Sequence, residues 1–170
     1  MACADSDHHG SAKSSGADDY KDSVPASVII GDGPERAALE ADVLRLGLLR
    51  DVRITGLLPD VREAIELCDV MALVSVSETF SIAALEAMAL GKPMVMSDVG
   101  GAREQVTHGV HGFLFASRDA DALVDVLREC AQPGRLPELA RQARARVEKE
   151  FSLQAMLGAY RQLLARYLDR

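Results

Sequence analysis

Tryptophan is absent from this chain, and aromatic residues make up only 4% of it. A core built from these residues must therefore be aliphatic. Cysteine is scarce and odd in number: Cys3, Cys68 and Cys130. Their spacing fits neither a zinc site nor a disulfide framework, which points to a reducing, cytoplasmic compartment. Cys68 and Cys130 fall in helical patterns and are expected as small core residues. No run is long and apolar enough for a transmembrane segment, and the polar, acidic N-terminus does not read as a secretory signal. Positive charge is also short. The net charge of −7 argues against nucleic acid and anionic lipid as partners. What remains is 48% hydrophobic over 170 residues, enough for a compact domain with a real core.

Residues 1–24 are rich in Ser, Asp, Gly, Ala and His without periodicity and are expected to form a disordered tail. From residue 25 onward apolar strands alternate with helical patterns. Strands are expected at 27–30, 52–55, 70–75, 93–97 and 112–116. Helices are expected at 35–46, 61–66, 81–90, 119–130, 137–150 and 153–168. Asp60 is placed as an N-cap, and the unbroken apolar run 70–75 as a strand buried on both faces. This order predicts an α/β fold, a Rossmann-like parallel sheet with helices on both faces. Ligands of such sheets sit beyond the carboxyl ends of the strands, which singles out the loops 56–60, 75–81 and 98–104.

The stretch from Glu78 to Glu104 reads ETFSIAALEAMALGKPMVMSDVGGARE. Its helix is apolar on nearly every side yet carries Glu86, and Glu78 stands just before it. An isolated carboxylate in an apolar setting is costly unless another element or a ligand pairs with it. The N–H groups of Phe80, Ser81 and Ile82 fall in the first turn, at the positive end of the helix dipole. They form a natural seat for phosphate or another polar oxygen. Glu86 lies roughly 7 Å further along the axis. A carboxylate only accepts hydrogen bonds, so each of the two suits a pair of adjacent hydroxyls. A nucleoside diphosphate sugar presents diol, pyrophosphate and diol in that order.

The pattern E-x7-E within E-T-F-S-x-A-x-L-E-A-M-A-x-G-K-P, followed by S-D-V-G-G-x-x-E, resembles the donor-binding half of the group 1, or family 4, retaining glycosyltransferases of the GT-B fold. The resemblance spans about residues 27–170, including the Gly31-Asp32-Gly33-Pro34 and Ile54-Thr55-Gly56 turns. It implies that residues 25–170 form a nucleotide-sugar-binding domain. It also implies that Glu86 holds the nucleotide ribose. Glu78, the candidate catalytic residue, would contact the transferred sugar. Phe80, Ser81 and Ile82 would contact sugar and phosphate, and Gly56 and Leu57 would seat the base. Gly100 and Gly101 join the donor-binding set, with a tight turn an equally good account of them. Ser81 stands where the family usually has Gly. No metal and no separate cofactor are implied; the nucleotide sugar is the donor substrate.

The family also carries an N-terminal acceptor domain, and an Arg and a Lys on the first strand and helix of the donor domain. Neither has a counterpart in these residues. The central strand of the sheet is thus expected to be lacking, with the sheet split or rearranged, or the gap filled by another chain. A partner domain, partner chain or second copy is expected at that gap or on the last helix. That helix carries the apolar stripe Leu153, Met156, Leu157, Tyr160, Leu163, Leu164, Tyr167 and Leu168. Sugar transfer is the leading reading. A non-catalytic nucleotide-sugar or partner-binding module is the alternative, and a dehydrogenase-like nucleotide binder is disfavoured because no G-x-G-x-x-G opens the first strand–helix turn. His108, His111 and Lys92 read as surface turn residues. Arg141, Arg144 and Arg146 read as a solvated helix face.

Overall fold

A computed structural model describes residues 27–168. The expected tail 1–24, with Cys3, lies outside the described residues. The chain divides into two units, between Pro59 and Asp60.

The first unit holds β1 (Ser27–Ile30), α1 (Arg36–Arg45) and β2 (Val52–Gly56). The strands are parallel, with Ser27 opposite Val52 and Ile29 opposite Ile54. Such a pair needs a crossover connection, which α1 provides. No residue of α1 is buried, and Val28, Leu39, Leu44, Leu46 and Leu49 are exposed. Two strands and one helix are too little chain to enclose a core.

The second unit holds α2 (Arg62–Leu67), β3 (Met71–Leu73), α3 (Ile82–Ala89), β4 (Met94–Ser97), α4 (Ala102–Gln105) and β5 (Gly112–Phe115). These are followed by α5 (Ala120–Cys130), α6 (Arg135–Arg146) and α7 (Leu153–Leu168), with a π-helical turn at Val147–Phe151 between the last two. Its three strands are parallel in the order β3-β4-β5. The described strands thus form two separate sheets.

β4 is buried throughout because its alternate side chains enter two cores. Met94 and Met96 pack with Ala84, Ala87 and Met88 of α3, with Ala143 of α6, and with Val147. Val95 packs with Phe113 and Phe115 of β5, Val126 and Cys130 of α5, and Leu139 of α6. Helices on both faces of a parallel sheet are what the alternating pattern predicts. Asp119 caps α5, accepting the Ala122 N–H at 2.9 Å. Asp60 accepts the Arg62 N–H at 3.0 Å, but from one residue before the cap position of α2, which Val61 holds.

Three expectations change. The strand expected at 70–75 shortens to Met71–Leu73 and forms one edge of its sheet. Ala72 is exposed, and Val74 and Val76 remain 61% and 59% exposed beyond it. The continuous apolar run asks for cover on both faces, and the described residues cover one. His111 is buried rather than a surface turn residue, its Nδ1 accepting the Thr107 N–H at 3.1 Å. Arg146 is half-buried, unlike Arg141 and Arg144, which face solvent.

Candidate functional site

The carboxyl ends of the three strands in the second unit are drawn together by hydroxyl groups. The Ser75 carbonyl accepts from Ser97 Oγ at 2.5 Å and from Ser117 Oγ at 3.3 Å. The Asp98 N–H donates to the Phe115 carbonyl at 2.8 Å. From this rim the loop 75–81 leads into α3, and the loop 98–104 runs beside it.

The two loops meet backbone to backbone. The Gly101 N–H donates to the Thr79 carbonyl at 2.8 Å. A Cβ on Gly100, whose φ is +53°, would lie 1.6 Å from the Glu78 carbonyl oxygen, and one on Gly101 2.5 Å from that of Thr79. The glycine pair is therefore required by this approach, whatever else it contacts. It also fixes where Glu78 stands. Glu78 is half-buried as a residue, and its carboxylate folds back to accept the Thr79 N–H at 3.0 Å.

Ser81 caps α3, its hydroxyl accepting the Ala84 N–H at 3.2 Å. The hydroxyl that replaces the family's usual Gly is thus spent on the helix. The Ser81 N–H, expected to face a ligand, is also taken: it donates to Gln105 Oε1 at 3.0 Å, while Gln105 Nε2 donates to the Ser81 carbonyl at 2.7 Å. The N–H groups of Phe80 and Ile82 have no acceptor among the described residues. Phe80 lies edge-on to Phe151, with ring centroids 5.7 Å apart. Arg146 in turn stacks over Phe151 and donates from Nη2 to the Glu104 carbonyl at 2.7 Å. The end of α6 and the π-turn thereby brace both loops.

Glu86 does not sit in an apolar interior. It shares the outward face of α3 with Ile82 and Ala89, all three exposed. The helix composition suggested otherwise because small alanines on its other sides pack inward. An exposed carboxylate needs no partner for stability, so burial gives no reason for a ligand at Glu86. Asp98 is paired with Arg103, whose guanidinium donates to both carboxylate oxygens. That pairing holds the Asp98 carboxyl below its usual range. No group of three metal-ligating side chains is placed to hold a metal among the described residues.

Glu78, Phe80, Ser81, Ile82, Glu86, Gly100 and Gly101 all belong to the second unit, on two touching loops and one helix. Gly56 and Leu57 belong to the first. Gly56 ends β2 and accepts the Gly31 N–H at 3.0 Å; Leu57 is 79% exposed. Gln105 was missed by the sequence reading, and Arg146 was read only as part of a solvated helix face. Gln105 follows the S-D-V-G-G-x-x-E run by one residue, and its polarity between Ala102 and Val106 was the available signal.

A parallel α/β fold with a helix-capped, glycine-braced loop at the strand ends defines a Rossmann-like ligand-binding class. Residues 17–149 match the family model for group 1 glycosyl transferases, and the chain belongs to that family. It is 35% identical over 104 residues to the D-inositol 3-phosphate glycosyltransferase of Gordonia bronchialis, a match covering 59% of this chain and 23% of the relative. The corresponding enzyme of Mycobacterium tuberculosis (strain F11) is 36% identical over 103 residues, covering 57% and 22%. The matched region is thus under a quarter of either relative's length. Among solved structures, Anabaena Alr3699/HepE in complex with UDP superposes with a TM-score of 0.77 at 28% identity, covering 84% of this chain and 41% of that one. Its complex with UDP-glucose gives 0.73 at 29%, covering 82% and 40%. The C-terminal domain of a group 1 family protein, LpcC, from Francisella tularensis shares the fold with a TM-score of 0.66 at 23% identity, covering 74% and 69%.

Proposed function

We propose that this chain is the donor-binding part of a retaining glycosyltransferase that takes a uridine diphosphate sugar. The E-x7-E frame across the capped start of α3 carries the reading. Glu78 is held beside the first turn by the Gly100-Gly101 approach, and Glu86 is exposed one turn into the helix. Glu86 receives the ribose diol, and Glu78 the hydroxyls of the transferred sugar. The unpaired N–H groups of Phe80 and Ile82 face the phosphates, where the helix dipole stabilises negative charge on the leaving group. The UDP and UDP-glucose complexes of the structural relative HepE support this choice of donor. The whole enzyme transfers a hexose to an acceptor hydroxyl with retention, and its N-terminal domain supplies the acceptor site. The open edge of β3 is the seat of the sheet's central strand, and the stripe on α7 is covered by that N-terminal domain or by a second copy. The free thiols of Cys68 and Cys130 fit a cytoplasmic setting.

One observation favours binding without turnover for the chain alone. Arg103, the basic residue on the loop 98–104, is engaged by Asp98 rather than free for a pyrophosphate. Calorimetric titration with UDP, GDP and ADP, repeated on Glu86→Ala, separates the readings. UDP binding that the substitution abolishes supports the proposal, and donor hydrolysis then distinguishes enzyme from module. No binding of any nucleotide overturns both.

A further inference from the structure

We propose that Gln105 is a positioning residue for the donor site, setting the segment 78–82 through a reciprocal amide pair with Ser81. The inference rests on the nucleotide-sugar reading above. Gln105 is 0% exposed, and it closes the short helix α4. Burying a primary amide is unfavourable unless both its halves are paired. Both are paired here, and with a single residue: Oε1 accepts the Ser81 N–H at 3.0 Å and Nε2 donates to the Ser81 carbonyl at 2.7 Å. A side-chain amide offers an acceptor and a donor side by side, matching the two backbone groups of one residue as a strand neighbour would. An apolar side chain of similar size would fill the same space beside Ala102 and Val106. It would leave the Ser81 N–H buried without a partner and the Ser81 carbonyl with only the longer bond from the Leu85 N–H, at 3.4 Å.

The clamp does not act alone. Two residues earlier, the Thr79 carbonyl is held by the Gly101 N–H at the other end of α4. The Glu104 carbonyl is held in turn by Arg146 of α6. The loop is thus tied to α4 at Thr79 and at Ser81, with Phe80 between the ties and Glu78 just ahead of them. Glu86 stands apart, because the body of α3 sets its position. Gln105 therefore acts most on the sugar hydroxyls assigned to Glu78, a contact that UDP lacks, and leaves the ribose end alone.

The full chain is titrated with UDP and with UDP-glucose, as wild type and as Gln105→Met. A positioning role weakens UDP-glucose roughly tenfold more than UDP, the loss expected for about one misplaced hydrogen bond to the sugar. Equal weakening of both ligands, or none, in a variant with a wild-type circular dichroism spectrum overturns the inference and leaves the nucleotide reading standing. Failure of the wild-type chain to bind either ligand removes that reading and this inference with it. Should Gln105→Met not fold, hydrogen exchange of the Ser81 amide in the wild-type chain decides. Protection like that of β4 amides supports the clamp, and exchange as fast as an exposed loop amide overturns it.

Discussion

Gly100 holds a backbone position that no other residue can take. Its φ of +53° is unfavourable for a side chain, and a Cβ would overlap the Glu78 carbonyl. Gly100→Ala should cost more than about 2 kcal/mol in urea unfolding. Gly91→Ala has a similarly positive φ but open space around it, and should cost about 1 kcal/mol. Equal costs would show that backbone angle alone matters at Gly100. His111 carries the clearest pH signature. Burial lowers its pKa from the ordinary 6.5, and the nearby Arg146 adds to the effect. The folded chain therefore holds fewer protons on this ring than the unfolded chain does. The stability it contributes is present above pH 6.5 and is lost as pH falls through the lower folded value. Thermal unfolding of His111→Gln should show a flatter pH dependence below pH 6.5 than the wild type. Cys130 is the converse case: burial pushes its thiol up to about 11. In the native chain it should resist iodoacetamide at pH 8 and react only on unfolding, as read by mass spectrometry.

At the scale of single elements, periodicity located the strands and most helices because each has an apolar face to bury. Ser81 and Asp119 mark helix starts in the sequence and cap them in the structure. Ser81→Ala should destabilise the second unit by about 1 kcal/mol in urea unfolding, through the lost bond to the Ala84 N–H. A cost near zero would show that the Gln105 pair alone sets the helix start. Other elements were not legible locally. α4 is four residues long, too short for periodicity, and the π-turn at Val147–Phe151 has no pattern of its own. β3 was readable as a strand, but its burial depends on neighbours that its own residues do not specify.

For the molecule as a whole, the exposed apolar surface of α7 is the main consequence. No residue of this helix is buried, and Leu157 and Leu164 lie on its apolar stripe. Contiguous exposed apolar surface of this kind drives association. The chain should sediment above monomer mass at micromolar concentration, and Leu157→Glu with Leu164→Glu should restore the monomer while leaving the second unit's stability within about 0.5 kcal/mol. Monomeric wild-type chain at that concentration would refute this. Alternating strands and helices, aliphatic composition and the E-x7-E run were enough to give the parallel α/β class and the family resemblance. Each depends on spacing along the chain, which the residues carry directly. Three features needed residues far apart in sequence to meet. Glu86 turned outward because the inward sides of α3 are filled by the β4 core. Ser81 lost its N–H to Gln105, 24 positions away. The glycine pair became obligatory only where the loop 98–104 touches the loop 75–81. Burial and hydrogen-bond partnership are properties of contacts, and contacts across such distances exist only once the chain has folded.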